Sequence, residues 1–276
     1  MQHITIIGAG WLGQPLIQHL KSLGYSIAAS RTQPSGVEAL QAAGVDAFIC
    51  QLPDTRQLIE KLSHVNSQVL IGCFPPGFRK GQGKEYRLYW QALVEAAQQT
   101  KVEKILMISS TSVYPDRAQA MYEQHASLSQ SETDNSFSAK AKIMLQAEQS
   151  VIDSGIEYAI LRCSGLIGPL RHPARFAARL SQVSDQAPAN MVHQYDVLKA
   201  IAFALDKITN QIVNVTTPHT VSKAEFYQAA LNAAHLSAPL PPIVHQPDKQ
   251  IMSEKLINMG FTFHYMNTLE ALYGYE

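Results

Sequence analysis

Three glycines near the N-terminus have the spacing of a phosphate-binding loop. Gly8, Gly10 and Gly13 follow a short apolar run and precede a stretch with helical periodicity. In such a loop one glycine permits a tight turn, one lets the backbone approach a pyrophosphate, and the third lets the helix pack against the strand. The helix N-terminus adds N–H groups and a partial positive charge. We expect the loop, with Leu12, to bind a dinucleotide, and Trp11 either to cover the pyrophosphate or to pack against neighbouring loops; the alternative is a turn without a ligand.

The end of the second predicted strand decides which dinucleotide fits. Proteins that prefer NAD place an acid there, about 20 residues after the loop, to hold the ribose hydroxyls. This sequence has Ser30, Arg31 and Thr32 at that point, and the first acid after Gly13 is Glu38. A guanidinium pairs with a 2′-phosphate that a carboxylate would repel. The segment therefore predicts NADP rather than NAD, unless Arg31 is only a solvated surface arginine.

Two further segments end predicted strands with residues that suit a ligand site. Residues 109–114 read Ser-Ser-Thr-Ser-Val-Tyr, and residues 73–77 read Cys-Phe-Pro-Pro-Gly. Ligands of open α/β sheets bind beside the carboxyl ends of the strands. We expect Ser109, Phe74 and Pro75 to contact the cofactor. In both segments the alternative is a turn that only satisfies its own backbone.

A cationic cluster follows the sixth predicted strand. Arg171, His172 and Arg175 lie close together in the sequence, above the expected cleft. Two cations beside a histidine would clamp an anionic group of a substrate, such as a phosphate or a carboxylate. Polar contacts within a loop or at a helix start explain the same residues equally well.

The elements that must position these residues alternate between short apolar runs and longer helical stretches. Strands are predicted at residues 3–7, 25–30, 47–50, 69–74, 104–109 and 158–162, with helices between them at residues 11–23, 36–43, 55–62, 85–99 and 138–153. Parallel neighbours need such crossover helices, so the pattern predicts an α/β fold with a doubly wound, parallel Rossmann sheet. Residues 1–169 form this dinucleotide-binding domain, and residues 170–276 form a smaller C-terminal substrate lobe. The lobe contains a predicted helix at residues 197–205 and a strand at residues 212–216.

Composition and charge argue against several classes of function. Lysine and arginine together number 22, as do aspartate and glutamate, so net charge gives no reason to expect a nucleic-acid or membrane partner. No apolar run reaches the ~18 residues of a membrane helix. The three cysteines are far apart and the ten histidines lack metal-binding spacings. We therefore expect reduced thiols, no metal and a cytoplasmic protein that acts on a small molecule.

Four segments together resemble one family. They are the loop at residues 8–13, the run at residues 109–114, Leu161-Arg162 with Gly168-Pro169, and Val192-His193-Gln194-Tyr195-Asp196-Val197. Over nearly the whole chain, the sequence is similar to an extended or atypical short-chain dehydrogenase/reductase of the NAD-dependent epimerase/dehydratase type, in particular to small bacterial members with GWLG and SSTSVY motifs. The resemblance implies that Ser110 polarises the substrate oxygen and that His193 lies near the substrate.

The sequence departs from that family at its acid–base pair. Related enzymes carry YxxxK on the helix after the serine, because a tyrosine with a free pKa of ~10 needs the lysine to lose a proton at neutral pH. Aligning this motif on the helix puts Lys140 and Met144 at the two positions, and a shift of one turn puts Ser136 and Lys140 there. Tyr114 and Lys140 remain as candidate proton donors, and Lys140 is also explained as a solvated helix lysine.

Two functions fit these observations. The first is an NADP-dependent oxidoreductase or epimerase-like enzyme with a small substrate, anionic if the cluster at residues 171–175 binds it. The second is a non-catalytic NADP-binding sensor or regulatory protein that has lost the tyrosine. Residues 8–20 and 30–32 also resemble the N-terminus of β-hydroxyacid dehydrogenases, but those proteins lack the SSTSVY run and continue into a large helical domain. The resemblance to the epimerase/dehydratase type also implies a homodimer, because related proteins often pair through two long helices, here at residues 85–99 and 138–153.

Overall fold

Alternating strands and amphipathic helices fold into three layers, with helices on both sides of one sheet. The structure is a computed structural model that describes residues 2–78, 81, 83–177 and 179–273. In these residues the strands are β1 (His3–Ile7), β2 (Ser26–Arg31), β3 (Asp46–Ile49), β4 (Val69–Gly72), β5 (Lys104–Ser110), β6 (Ala120–Met121), β7 (Glu157–Cys163), β8 (Gly165–Ile167), β9 (Val183–Ser184), β10 (Met191–His193), β11 (Gln211–Val215), β12 (Ile243–Val244) and β13 (Gln250–Ile251). The helices are α1 (Gly13–Ser22), α2 (Pro34–Ala42), α3 (Arg56–Val65), α4 (Tyr86–Gln98), α5 (Leu128–Thr133), α6 (Ala139–Ile152), α7 (Ala174–Ala177), α8 (Gln194–Lys207), α9 (Lys223–Ala233) and α10 (Glu254–Asn258).

Seven strands form one central sheet in which every neighbouring pair is parallel. Their order is β11-β7-β5-β4-β1-β2-β3. The chain fills one half of the sheet from β1 to β3 and then returns beside β1 with β4, so the direction of winding reverses between β1 and β4. Parallel strands covered on both faces are nearly continuous in apolar residues, as β4 and β5 are here. The predicted doubly wound Rossmann sheet is confirmed.

Two apolar cores cover the two faces of the sheet. Helices α1, α2 and α8 pack on one face, and α3, α4 and α6 pack on the other. On α1, Leu16, Ile17 and Leu20 have no exposed surface, because their spacing puts them on one face of the helix. Burial of each such side chain contributes roughly 1.5–3 kcal/mol. The packing of α1 therefore fixes where the glycine loop before it lies.

The seventh strand of the sheet comes from a segment that the sequence places in the smaller lobe. The sequence predicts six strands and places residues 212–216 in the smaller lobe. In the structure β11 pairs with β7, from Gln211 opposite Ala159 to Val215 opposite Cys163. The cause is a crossover, because α8 packs on the same face of the sheet as α1 and brings the chain back parallel to β7. The chain therefore enters the lobe, returns to the sheet and leaves it again.

The smaller lobe is built from chain on both sides of α8 and β11. Its buried apolar members are Ile167, Ala174, Ala177, Ala189, Phe226, Ala230, Leu231, Ala271 and Leu272. Two short parallel strand pairs connect its parts, namely β8 with β10 and β9 with β12, and a third, β6 with β13, packs in the core that α4 and α6 share. A domain boundary between residues 169 and 170 stays a prediction, since the chain crosses between lobe and sheet more than once.

Three further expectations concern membranes, metals and a second copy of the chain. No helix within the described ranges is long and apolar enough to cross a membrane. The same ranges contain no group of three or more His, Cys, Asp or Glu side chains that would hold a metal ion. Helices α4 and α6, which the sequence assigns to a homodimer, pack against each other. Their pairing with a second copy stays a prediction.

Candidate cofactor site and active site

The glycine loop turns sharply between β1 and α1. Gly8 has a φ of +96°, a conformation that residues with a Cβ rarely adopt. The N–H of Gly8 donates to the Ser30 hydroxyl at 3.2 Å, and the N–H of Ala9 donates to the Ser30 carbonyl at 2.9 Å. The N–H of Gln14 donates to the Gly10 carbonyl at 2.9 Å and begins the helical pattern. The N–H of Gly10 donates to the Gly8 carbonyl at 2.7 Å, whereas the amide groups of the first turn of α1 have no carbonyl one turn earlier in the helix.

The three glycines lack a side chain for different reasons. A Cβ on Gly13 would lie closer than 3.0 Å to the carbonyl oxygen of Gly8, so only glycine lets α1 lie this close to β1. A Cβ on Gly8 would lie 3.2 Å from the backbone of Cys73 and Phe74. A Cβ on Gly10 would meet no protein atom within 4 Å. Gly10 therefore faces open space at the N-terminus of α1, and a pyrophosphate fits this position.

The segment after β4 forms the opposite wall of this opening. Because winding reverses between β1 and β4, their carboxyl ends flank a crevice. The Phe74 ring stacks on Trp90 with centroids 5.2 Å apart and meets the edge of Tyr86 at 5.6 Å. These contacts hold the Phe74 ring against α4, while its backbone faces Gly8; Pro75 is exposed. Contact of Phe74 and Pro75 with a cofactor stays a prediction.

Arg31 ends β2 and folds back over the glycine loop. Its Nη1 donates to the carbonyl of Ala9, and a guanidinium carries several further N–H donors. Ser30 is 2% exposed, so its side chain holds the loop and is closed to a ligand. The carbonyl of Thr32 accepts from Gln51 Nε2 at 2.8 Å. Arg31 thus occupies the position at which NAD-preferring proteins carry an acid.

Ser109 and Ser110 point to opposite sides of β5, as alternation along a strand requires. Ser109 is 4% exposed, and its hydroxyl donates to Glu148 Oε1 on α6 at 2.5 Å. This contradicts the predicted cofactor contact of Ser109, because its hydroxyl is bound between sheet and helix. Ser110 is half-buried, and its hydroxyl accepts from the N–H of Ser112 at 3.2 Å. Ser110 lies at the carboxyl end of the sheet, which is where the substrate is expected.

Tyr114 does not fit the role of a proton donor. Its side chain is 1% exposed, and its hydroxyl donates to Asn214 Oδ1 at 2.6 Å. Arg162 Nη1 donates to the same hydroxyl at 3.3 Å. Burial raises the pKa of Tyr114 to about 12, so the hydroxyl keeps its proton at neutral pH. The structure contradicts the prediction that Tyr114 faces a substrate, because β11 brings Asn214 beside it.

Lys140 is the accessible member of the predicted acid–base positions. It lies in the first turn of α6 and is exposed. Its Nζ is 6.0 Å from the centroid of the Phe78 ring, which belongs to the segment after β4. Met144, one turn further along α6, is 1% exposed and packs in the apolar core. Lys140 therefore remains a candidate for contact with a ligand, and Met144 does not.

A buried ion pair behind Ser109 has no counterpart in the site predicted from the sequence. Arg162 on β7 has no exposed surface, and Glu148 on α6 is 1% exposed. Arg162 Nη2 donates to Glu148 Oε2 at 2.7 Å, and Arg162 also donates to the carbonyls of Glu123 and Ala126. The pair thus joins β7, α6 and the chain before α5 beside the end of β5. The available signal was an arginine inside the otherwise apolar run at residues 159–163.

Trp11 connects the glycine loop to the smaller lobe. Its Nε1 donates to the Pro169 carbonyl at 2.6 Å, and the Arg171 guanidinium lies 4.6 Å from the centroid of the indole ring. Gln194 Nε2, at the start of α8, donates to the Trp11 carbonyl at 2.8 Å. The indole thus packs against a neighbouring loop, which is one of its two predicted alternatives. Leu12 is 6% exposed and packs in the core, so its backbone is the part available to a ligand.

An open groove of about 320 Å³ lies beside His193. It is lined by Pro169, His193, Gln194, Tyr195, Leu198, His264 and Tyr265. His193 is 3% exposed, and its Nδ1 accepts from the N–H of Tyr195 at 3.1 Å at the N-terminus of α8. Burial, together with the neighbouring His264, lowers the pKa of His193 to about 4. The ring is therefore uncharged at neutral pH and adds no cation to a substrate site.

The three residues of the predicted anion clamp each have a local contact. Arg171 lies over the indole described above, and Arg175 Nη1 donates to the Leu170 carbonyl at 3.2 Å. His172 Nδ1 accepts from the N–H of Ala174 at 3.3 Å, and burial lowers the pKa of His172. These are polar contacts within a loop and at a helix start, which is the alternative explanation that the sequence allows. Binding of an anionic substrate by this cluster stays a prediction.

The fold and this site together define a class of protein. A doubly wound parallel sheet with a glycine loop at the point where winding reverses is the architecture of dinucleotide-binding proteins. The chain belongs to the NAD(P)H-binding family, whose model matches residues 8–208. That match contains the glycine loop, Arg31, the end of β5 and α8.

Relatives and solved structures agree with this assignment. The chain is 28% identical over 276 residues to protein YeeZ of Escherichia coli strain K12, with 98% of each chain covered. The enzyme WbmH of Bordetella bronchiseptica, solved in complex with NAD+, matches with a TM-score of 0.79 and 16% identity over 100% of this chain and 97% of that chain. UDP-glucose 4-epimerase of Thermotoga maritima matches with a TM-score of 0.76 and 14% identity over 99% and 97%. The resemblance to the epimerase/dehydratase type is thus confirmed for the fold and the NAD(P)H-binding domain.

Proposed function

We propose that the chain is an NADP-dependent oxidoreductase or epimerase-like enzyme that acts on a small substrate. The observation that carries the proposal is the position of Arg31, whose guanidinium lies over the glycine loop at the end of β2. The cofactor lies across residues 8–13, with its 2′-phosphate beside Arg31 and its nicotinamide toward the end of β5.

The charge and order of Arg31 support the choice of NADP. A guanidinium pairs with a phosphate through parallel, charge-assisted hydrogen bonds. The bond to the carbonyl of Ala9 holds the Arg31 side chain at the loop before a ligand arrives. A side chain ordered in advance loses less entropy on binding, so more of the interaction energy remains as affinity.

Replacing Arg31 by alanine is expected to weaken NADPH binding by about 10- to 100-fold, because charge-assisted hydrogen bonds contribute ~1.5–3 kcal/mol. NADH lacks the phosphate, so its affinity should stay nearly the same. Titration calorimetry of both nucleotides measures the ratio. Arg56→Ala is the matched control, since the Arg56 side chain is 90% exposed on α3. An unchanged ratio of the two affinities in Arg31→Ala would contradict the assignment of NADP.

The proposed reaction uses residues at the end of β5 and the start of α6. Hydride transfer at C4 of the nicotinamide is the chemistry that the cofactor supplies when bound. Ser110 donates a hydrogen bond to the substrate oxygen on which negative charge develops. Lys140 gives or takes the proton.

Ser110→Ala is expected to lower kcat by on the order of 100-fold, the loss typical of removing one donor to a developing oxyanion. Lys140→Met is expected to lower kcat by a similar or larger factor, as general acid–base catalysis contributes about 10²–10⁴-fold. The assay follows NADPH oxidation across a panel of small carbonyl compounds, including phosphorylated and carboxylated ones. Lys142→Met, on the same helix, is the matched control. Unchanged turnover in Ser110→Ala would remove Ser110 from the mechanism.

A second candidate function is a non-catalytic NADP-binding protein. It is favoured by the hydroxyl of Tyr114, which is bound to Asn214 and Arg162 inside the core, and by the lack of a tyrosine in α6. The two functions differ in what surrounds Ser110 once NADPH is bound. In a cofactor-bound crystal structure, the enzyme requires a titratable side chain within ~3.2 Å of the substrate position, directly or through one water. Its absence there would favour the sensor.

A further inference from the structure

The backbone conformation of Gly36, near the start of α2, does not require glycine. Gly36 lies in the helix Pro34–Ala42, and the residues with positive φ do not include it. Glycine is among the weakest helix formers, and alanine is the strongest. Its place in the helix therefore requires another explanation, which is found in the space next to it.

The space at Gly36 is taken by Arg31. A Cβ on Gly36 would lie 2.7 Å from Arg31 Nε and 3.3 Å from Arg31 Cβ and Cγ. These are the three nearest heavy atoms to such a Cβ, and all belong to one side chain. The stem of Arg31 thus runs over the helix at the one position where no side chain projects.

We infer that Gly36 is a positioning residue that selects NADP by leaving room for the Arg31 side chain, an inference that rests on the NADP-binding function proposed above. The guanidinium reaches the carbonyl of Ala9 only because the stem passes close over residue 36. An alanine there displaces Nε, since real Cβ contacts of 2.7 Å do not occur. Arg31 then rotates toward solvent, and its Nη1 leaves Ala9.

Arginine differs from a compact charge in needing a fixed orientation. Parallel hydrogen bonds to a phosphate require the guanidinium plane to face the oxygens. A rotated Arg31 still carries its charge near the site, so long-range attraction remains while the oriented bonds are lost. The residue at position 36 therefore tunes the preference for NADP over NAD without touching either nucleotide.

Gly36→Ala is expected to raise the Kd for NADPH by on the order of tenfold, as when one charge-assisted hydrogen bond is no longer held in place. The Kd for NADH should stay nearly unchanged. The thermal midpoint should be equal to or higher than that of the unmodified protein, because alanine favours the helix and the displaced side chain is flexible. A purely structural role would lower the midpoint and weaken both nucleotides together.

A double-mutant cycle tests whether the glycine acts through Arg31. In the Arg31→Ala background, Gly36→Ala should leave the NADPH-to-NADH affinity ratio where Arg31→Ala alone puts it. The inference is overturned if Gly36→Ala keeps the ratio of the unmodified protein while Arg31→Ala lowers it. It is also overturned if Gly36→Ala lowers the ratio equally in both backgrounds. If Arg31→Ala does not change the ratio at all, the proposed preference for NADP is itself wrong. Failure of the proposed function is thus distinguishable from failure of the inference about Gly36.

Discussion

Gly13→Ala is expected to weaken NADPH binding by on the order of 100-fold and to lower the free energy of unfolding by about 1–3 kcal/mol. The new Cβ would lie closer than 3.0 Å to the carbonyl oxygen of Gly8, which is backbone and has no rotamer to change. Either α1 moves away from β1 or the loop opens, and both displace the amide groups that face the pyrophosphate. Calorimetry with NADPH and thermal unfolding measure the two effects.

Gly10→Ala provides the contrast within the same loop. Its Cβ would meet no protein atom within 4 Å, so the fold should keep its thermal midpoint. The methyl group would instead occupy the space proposed for the pyrophosphate, so NADPH binding should weaken while stability does not. Wild-type affinity in Gly13→Ala, or an unfolded Gly10→Ala, would contradict the roles assigned to these glycines.

Glu148→Gln is expected to destabilise the protein by about 3–5 kcal/mol, because it leaves the charge of Arg162 buried without its partner. Arg162 has no exposed surface, and its Nη2 lies 2.7 Å from Glu148 Oε2. For a chain of this length, such a loss lowers the thermal midpoint by roughly 10 °C. Circular dichroism during heating measures the shift. Glutamine keeps one side-chain oxygen as an acceptor, so the hydrogen bond from Ser109 is expected to remain and the shift reports on the unpaired charge.

Two controls test whether the loss of stability comes from a buried charge that has lost its partner. Arg56→Ala removes an ion pair with Asp54 whose two side chains are 90% and 51% exposed, and the midpoint should not change measurably. The double replacement Arg162→Met with Glu148→Leu removes both buried charges, and it should recover much of the stability lost in Glu148→Gln. A midpoint for Glu148→Gln equal to that of the unmodified protein would show that the pair does not hold this region together.

Periodicity predicts most of the sheet because its strands are covered on both faces. Consecutive apolar residues occupy positions 69–71 of β4 and 105–108 of β5, and β1 is apolar apart from His3 and Thr5. The strand β11 was assigned to the wrong layer for a physical reason. Its partner β7 ends 48 residues before β11 begins, counted from Cys163 to Gln211, and no local pattern records which sheet a strand joins.

The glycine loop was predictable because its chemistry is local. Turn, backbone approach and helix packing all act within the span from Gly8 to Gly13. The sequence also allows the prediction that Ser109 and Ser110 do not both face a ligand, because side-chain alternation along β5 puts them on opposite faces.

The roles of the remaining side chains depend on partners that are distant in the sequence. The Tyr114 hydroxyl is bound to Asn214, 100 residues away in the sequence, and the Trp11 indole is bound to Pro169, 158 residues away. The role proposed for Gly36 is apparent only from the position of the Arg31 side chain over α2. Residue type alone did not distinguish a hydroxyl held in the core from one that faces a ligand.

The most direct test of the central claim is the equilibrium binding of NADPH and NADH to the unmodified protein, measured by titration calorimetry in one buffer at one salt concentration. The position of Arg31 over the glycine loop predicts a Kd for NADPH at least about tenfold lower than that for NADH. NADH binding as tightly as NADPH, or more tightly, would contradict the assignment.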